Sequence, residues 1–111
     1  MHGRLTPLAK VIMEKPFRER LGTLRLSVRG NSMAPTLLPG DQVLVDTSQE
    51  FGVGDIVVAA LAEGAYVVHR VVSVDKRLDR ITTRGDANPT GQVEVFGRED
   101  ILGRVVKIYV Q

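Results

Sequence analysis

Cysteine and tryptophan are absent from this chain of 111 residues, and only five of its residues are aromatic. Without cysteine, disulfide bonds and thiolate chemistry are excluded, and the sequence does not indicate a redox compartment. No cluster of histidines and carboxylates has the spacing of metal ligands, and no glycine-rich phosphate loop is present. The sequence therefore predicts neither a metal ion nor an organic cofactor.

Long hydrophobic runs are also missing. The longest uncharged apolar run covers residues 56–62, seven residues in all, whereas a membrane-spanning helix needs roughly 20. No stretch near the N-terminus has the apolar core of a secretory signal. We therefore expect a soluble, cytoplasmic protein that needs no detergent.

Charge is unevenly distributed along the chain. Residues 1–30 hold seven Lys or Arg and two Glu, a net charge of +5, while the whole chain carries +2. Such asymmetry is typical of proteins that bind nucleic acid or an anionic membrane surface. The few aromatic residues do not form a base-stacking platform with the basic ones, so we expect no nucleic-acid partner. A weak contact of residues 4–20 with an anionic membrane stays open, beside the simpler interpretation of a solvated basic helix face.

The length of the chain suits one domain with one modest core. Thr6 as an N-cap and Pro7 as the first helical residue predict a short helix that ends near Pro16, within a basic N-terminal segment covering 1–23. From Leu24 to the end, at residue 111, the pattern is β. Strands separated by Gly, Pro, Asp and Asn are predicted at 24–29, 42–46, 55–61, 65–74, 79–84 and 102–110. The predicted fold is all-β, a small barrel-like domain of antiparallel strands with one N-terminal helix.

The most informative stretch begins where the first predicted strand ends. Gly30 and Asn31 readily adopt the dihedral angles of a tight turn, so Ser32 lies where a hydroxyl is presented rather than packed. Pro39 and Gly40 then predict a type II turn before the next strand. Taken alone, this pattern more often marks a turn whose serine bonds its own backbone.

Two further segments make a catalytic interpretation competitive. His69 lies in the middle of a Val-rich strand, and Asp86 lies in the turn that ends another strand. A serine, a histidine and an aspartate on three separate elements is the usual arrangement of a nucleophile, its base and the group that orients the base. The alternatives are a buried core histidine and an aspartate that caps its own turn through backbone N–H groups.

Four motifs follow one another along the chain: Ser-Met-x-Pro-Thr-Leu-x-x-Gly-Asp from Ser32, Gly-Asp-Ile-Val from Gly54, His-Arg-Val from His69, and Thr-x-Gly-Asp from Thr83. Together they resemble the signal peptidase group of serine peptidases, in the superfamily that also holds self-cleaving repressors. Within that group the chain resembles the branch whose base is histidine, and in particular its small, unanchored bacterial members. The resemblance covers the chain from about Leu24 to Val110.

The resemblance implies a soluble serine endopeptidase that cleaves a protein or peptide substrate. Ser32 would be the nucleophile, His69 the general base and Asp86 the orienting carboxylate. Histidine-type members carry a further aspartate six residues after this one, where this chain has Gln92. The site is therefore either a triad with Asp86 or a Ser–His dyad. Lysine, the base of other branches, has no counterpart at the position of His69.

The backbone N–H of Ser32 is the expected first donor to the oxyanion of an acyl intermediate. Many signal peptidases add a serine hydroxyl two residues earlier, where this chain has Gly30, so the Asn31 amide or another backbone N–H is left as the second donor. Substrate in this family lies extended between strands that correspond here to 24–30 and 64–68, with Met33 and Val68 among the expected contacts. The competing hypothesis is a non-catalytic β-domain that binds extended peptides or a membrane surface. The oligomeric state is not indicated.

Overall fold

A computed structural model describes residues 4–7 and 22–111 of the chain. Antiparallel strands dominate both ranges, and the only helical elements described are 3-10 turns at Ala62–Gly64 and Arg98–Asp100. The all-β prediction is confirmed. The strands, in chain order, are β1 Arg4–Pro7, β2 Thr23–Arg29, β3 Gln42–Asp46, β4 Ile56–Ala60, β5 Tyr66–Asp75, β6 Arg80–Arg84, β7 Glu94–Phe96 and β8 Ile101–Tyr109.

All six strands predicted from the sequence are present, each within one residue of its predicted ends. The sequence interpretation missed β7, which has only three residues and lies among glycines and polar residues. It also missed β1. The predicted helix start at Thr6 and Pro7 is wrong, because both residues pair with β2. Proline is tolerated at the end of a strand, where its missing N–H removes no ladder bond. The remainder of the predicted helix, 8–16, lies outside the described residues.

The strands form one sheet in the order β1-β2-β3-β8-β4-β5-β6-β7, and every pair is antiparallel. The sheet curls into a barrel-like shape because β1, besides pairing with β2, also meets β5 where Arg4 pairs with Val67. Register shifts in both ladders of β8 add local bending. Strands β6 and β7 continue the sheet beyond β5 and form its other edge.

The main core fills the inside of the curled sheet. On β2 the burial alternates along the strand, as the sequence pattern predicts for one buried face. The members of this cluster are Leu24, Leu26, Val28, Met33, Leu37, Val43, Val45, Val58 and Val68. Burying each such side chain contributes about 1.5–3 kcal/mol before conformational entropy is counted. The turn after β2 is therefore anchored to the centre of the domain through Met33 and Leu37.

Strand β5 is buried on both faces over residues 67–69. Val68 faces the main core, whereas Val67 and Val71 belong to two smaller clusters on the other face, one with Ala59 and Phe96 and one with Val57 and Ile81. Because side chains alternate along a strand, His69 faces the same side as Val67 and Val71. In the part of the chain that the structure describes, no helix is long and apolar enough to cross a membrane.

Candidate active site

Ser32 lies in a tight turn that follows β2. Gly30 enters the turn with φ of +84°, a conformation that favours glycine. The turn is closed by backbone bonds from Ala34 N–H to the Asn31 carbonyl (3.0 Å) and from Leu37 N–H to the Met33 carbonyl (2.9 Å). Ser32 is only 3% exposed. Its hydroxyl is thus held in place by local hydrogen bonds and by the core beneath it.

The hydroxyl of Ser32 meets the ring of His69. The distance between Ser32 Oγ and His69 Nε2 is 3.0 Å, and His69 is 1% exposed. This is hydrogen-bond distance for a nucleophile and its base. The structure therefore brings together the two residues that the sequence predicts as the reactive pair, although they lie 37 positions apart.

The second ring nitrogen of His69 contacts a residue that the sequence interpretation did not single out. His69 Nδ1 lies 2.6 Å from Glu94 Oε1, and the Thr83 hydroxyl donates to the same oxygen at 3.0 Å. An ionised carboxylate only accepts hydrogen bonds, so Nδ1 carries the proton and Nε2 is left as an acceptor. That tautomer is the one able to accept a proton from Ser32.

Strand register explains why Glu94 reaches the histidine. Val71 on β5 pairs with Thr83 on β6, and Thr83 pairs with Glu94 on β7. Directly paired residues in an antiparallel sheet share a face, and His69 shares that face because it lies two residues before Val71. The carboxylate therefore reaches diagonally across β6 to the imidazole, and the Thr83 hydroxyl fixes its position.

Asp86, predicted to orient the histidine, has a different partner. Its carboxylate accepts from Arg70 Nε and Nη2, each at 2.8 Å, and from the Thr36 hydroxyl at 2.6 Å. The hydrogen bonds from Arg70 lower the pKa of Asp86, against an opposing effect of partial burial, and the same bonds raise the pKa of Arg70. The structure does not bring Asp86 to His69, whose Nδ1 is taken by Glu94.

The alternation of side chains along β5 explains why Arg70 and His69 have different partners. Arg70 is adjacent to His69 and points to the opposite face of β5, where it pairs with Arg84. Asp86 lies in the turn that begins directly after β6, two residues beyond Arg84, and its carboxylate contacts Arg70 from there. Arg70 forms an ion pair with Asp86, with 2.8 Å between Arg70 Nη2 and Asp86 Oδ2.

The turn that carries Asp86 packs against residues 30–37, called the nucleophile turn because Ser32 is its predicted nucleophile. Ala87 N–H donates to the Ser32 carbonyl at 2.8 Å, and Asp86 N–H lies 3.3 Å from Met33 Sδ. A Cβ on Gly85 would lie 2.5 Å from the Ser32 carbonyl oxygen and 2.9 Å from His69 Nε2. Only glycine allows the two turns to approach this closely, so Gly85 is required for packing beside the reactive pair.

The remaining predicted contacts are divided between the surface and the core. Asn31 is exposed, and Gly30 lies at the strand end beside it. Met33 and Val68 are both fully buried in the main core, and their part in substrate binding stays a prediction. Their apolar side chains point inward because they continue the buried faces of the nucleophile turn and of β5.

Lysine does not contribute to this arrangement in the described ranges. Lys76 is exposed in the turn after β5, and Lys107 is exposed on β8, where its ammonium lies 4.9 Å from the centre of the Tyr109 ring. Within those same ranges, no three side chains of His, Cys, Asp or Glu are grouped as metal ligands. The polar centre of the site is the chain of contacts Ser32–His69–Glu94.

Comparison with known proteins identifies the family of this chain. Residues 6–106 match the family described as Peptidase S24-like. The chain belongs to this family. The superfamily indicated by the sequence motifs is therefore confirmed, whereas its signal peptidase branch stays a prediction.

This S24-like domain is also similar to the LexA repressor of Pelotomaculum thermopropionicum, with 38% identity over 87 residues. The match covers 76% of this chain and 41% of that relative. The domain thus spans about two fifths of the length of the curated relative it matches.

Proposed function

We propose that the chain is a serine peptidase of the histidine type, with Ser32 as nucleophile, His69 as general base and acid, and Glu94 as the orienting carboxylate. The observation that carries the proposal is the continuous contact chain, 3.0 Å from Ser32 Oγ to His69 Nε2 and 2.6 Å from His69 Nδ1 to Glu94 Oε1. A serine hydroxyl is a weak nucleophile at neutral pH unless a base takes its proton. Here His69 contacts the Ser32 hydroxyl through one ring nitrogen and the Glu94 carboxylate through the other.

The reaction follows from these contacts. Ser32 Oγ attacks the carbonyl carbon of a peptide bond while its proton moves to His69 Nε2, and Glu94 stabilises the imidazolium that results. The tetrahedral intermediate collapses when Nε2 returns that proton to the leaving amine, which leaves an acyl group on Ser32. Water then gives a proton to His69 Nε2 as it attacks the acyl carbon, and Nε2 passes that proton to Ser32 Oγ as the bond between the acyl carbon and Oγ breaks, which releases the second product and restores both residues.

The finer assignment to a histidine base rests on position. His69 has the serine within hydrogen-bond distance, whereas the two described lysines, Lys76 and Lys107, are exposed on other parts of the sheet. The S24-like family includes Ser–Lys peptidases that cleave themselves. We infer that this domain follows the His-type variant of the same chemistry.

The substrate we propose is an extended segment of a protein or peptide. The strand that leads to Ser32 and the strand that carries His69 meet the short β1, which pairs with Val28 and Arg29 on β2 and with Val67 on β5. An extended chain therefore fits between these two strands through main-chain hydrogen bonds. A substrate that uses the same edges replaces β1.

Cleavage of a mixed peptide library, followed by mass spectrometry, tests the proposal over many candidate sequences at once. Ser32→Ala and His69→Ala are expected to remove nearly all cleavage, since loss of either group in a well-studied triad costs about a millionfold. Ser73→Ala, on the exposed end of β5, is the matched control and is expected to cleave like wild type. Retention of more than about a hundredth of wild-type turnover by either site variant, at unchanged thermal unfolding, would contradict its role.

The second candidate is a non-catalytic domain that binds extended peptides. It is favoured by one observation: Ser32 and His69 are only 3% and 1% exposed, so a substrate reaches them only after something moves. A binding domain would keep its peptide affinity in the Ser32→Ala variant and would show no cleavage in the wild type. Wild-type cleavage that Ser32→Ala abolishes decides for the peptidase.

A further inference from the structure

A buried amide without a partner among the described residues lies beside the reactive pair. Asn88 Nδ2 is inaccessible to solvent and has no hydrogen-bond partner there, whereas the backbone of the same residue is fully engaged. Its N–H donates to the Gly85 carbonyl at 2.9 Å, and its carbonyl accepts from Arg84 Nη1 at 2.8 Å. Buried donors are nearly always paired, so an unpaired one calls for an explanation such as a ligand that is bound only during function.

The position of this amide relates it to the histidine. A point at the Cβ position of Gly85 lies 2.8 Å from Asn88 Nδ2, 2.9 Å from His69 Nε2 and 2.5 Å from the Ser32 carbonyl oxygen. The two nitrogens therefore border the same small space beside the Gly85 α-carbon. Nδ2 lies on the side of the turn that faces the Ser32–His69 pair, and not on the solvent side.

The backbone that carries this amide is tied to its surroundings on two sides. The turn over residues 85–88 is tied to the nucleophile turn by the bond from Ala87 N–H to the Ser32 carbonyl. Asp86 ties the same turn to Arg70 and to Thr36. Because the backbone is tied in this way, the amide stays beside the reactive pair, and a donor already positioned where charge develops can stabilise a transition state.

The chemistry of acyl transfer leaves a role for such a donor. The Ser32 backbone N–H supplies one hydrogen bond to the oxyanion, but Gly30 has no side chain and the Asn31 side chain is exposed. We propose that the side-chain amide of Asn88 is a second oxyanion donor, which hydrogen-bonds the substrate carbonyl oxygen as it becomes negatively charged. This inference rests on the proposed peptidase function and adds a catalytic residue to it.

The test compares Asn88→Ala and Asn88→Asp with wild type on a peptide that the wild type cleaves. Removing one oxyanion donor is expected to lower kcat about 100- to 1000-fold, with KM within about threefold because the interaction forms mainly in the transition state. Asn88→Asp keeps the shape of the side chain but replaces the donor with an acceptor, so its kcat is expected to be lower still. Thr90→Ala, exposed in the same loop, is the matched control and is expected to keep wild-type kcat.

A second readout separates this role from a structural one. A peptide aldehyde forms a tetrahedral adduct on Ser32, so its inhibition constant is expected to weaken by the same factor as kcat/KM in the Asn88 variants. Binding of the uncleaved peptide to Ser32→Ala, with and without Asn88→Ala, is expected to be the same. Thermal unfolding of Asn88→Ala is expected to be unchanged, because no hydrogen bond of the Nδ2 group within the described residues is lost.

Two results would overturn the inference. One is an active wild type together with Asn88 variants that keep more than about a third of its kcat. The other is a loss of kcat that is matched by an equal loss of peptide affinity or by a lower Tm in both variants, since that pattern marks a structural residue. An inactive wild type would overturn the proposed function itself, and this inference with it, and so is distinguishable from both.

Discussion

Two carboxylates lie near the reactive pair, and the structure gives them unequal roles that mutation can separate. Glu94 accepts from His69 Nδ1, whereas Asp86 accepts from Arg70 and Thr36 on the other face of the sheet. We therefore expect Glu94→Gln to reduce kcat strongly and Asp86→Asn to reduce it weakly. Both substitutions keep the size of the side chain and remove its negative charge.

The expected magnitude for Glu94→Gln follows from its two contacts. Glutamine presents either an NH₂ group, which forces the proton off His69 Nδ1, or a carbonyl, which keeps the tautomer but no longer balances the imidazolium. In a triad the corresponding neutral substitution lowers kcat about ten-thousandfold, or about 5.4 kcal/mol at 1.36 kcal/mol per tenfold. The carboxylate is only 15% exposed, so water replaces little of this loss. We expect a reduction of about 1000- to 10,000-fold.

The expected magnitude for Asp86→Asn is smaller. Asparagine keeps an oxygen for the Thr36 hydroxyl and loses one strong bond to Arg70, whose side chain is 34% exposed and partly solvated. Charged hydrogen bonds of this kind contribute about 1.5–3 kcal/mol when buried, and less when water has access. The lost bond lowers the free energy of unfolding. Because Asp86 contacts the nucleophile turn rather than His69, we expect kcat to fall by less than about tenfold.

Steady-state kinetics on one cleavable peptide, with thermal unfolding of each variant, measures both effects. A folded Asp86→Asn that loses more activity than a folded Glu94→Gln would refute the assignment of Glu94. Equal, small losses in both would leave Ser32 and His69 as a dyad.

Three further predictions follow from the same contacts. The ratio kcat/KM is expected to rise with pH to a half-maximum between about pH 6 and 8, as neutral His69 becomes available; a profile flat from about pH 5 to 9 would contradict a histidine base. Arg70 depresses the pKa of Asp86 below its ordinary value of 3.8, so its stabilising contribution is present above that pH and is lost as pH falls through the lower folded value. Asp86→Asn should therefore lower the free energy of unfolding at neutral pH, measured by denaturant titration. Between neutral pH and about pH 2 the variant should lose less of its free energy of unfolding than wild type does. An equal loss in the two proteins would argue against the ion pair. Removing residues 1–7 frees the edges of β2 and β5 and is expected to raise kcat/KM for extended peptides. An unchanged kcat/KM in the folded truncated chain would show that β1 does not occupy the substrate position.

Much of this fold is predictable because local patterns define its strands. The alternation of Leu24, Leu26 and Val28 and the Val-rich run around His69 indicate strands whose ends match the structure within one residue. The Ser32–His69 contact is predictable only from the ordered motifs, since 37 residues separate the two. Strands such as β7, with three residues and exposed Val95 at its centre, are too short for a periodic signal.

Glu94 was not predictable without the pairing of β5, β6 and β7. Alternation along one strand fixes which residues share a face, but it does not say which residue on a neighbouring strand stands opposite. Once Thr83 is known to pair with Val71 and with Glu94, the same alternation places Glu94 on the face of His69. Asp86 was chosen because it belongs to the Thr-x-Gly-Asp motif, and a motif does not say which partner its carboxylate contacts, here Arg70 and Thr36.

The central claim, that His69 makes Ser32 a nucleophile, is tested most directly by covalent trapping. A fluorophosphonate reacts when a serine oxygen displaces fluoride from phosphorus, and fragment mass spectrometry then locates the adduct. The account predicts one adduct per chain on Ser32, formed more slowly at acidic pH, nearly absent in His69→Ala and absent from that position in Ser32→Ala. Labelling of Ser32 at an equal rate in wild type and in a folded His69→Ala, or labelling of wild type only at other residues, would contradict it.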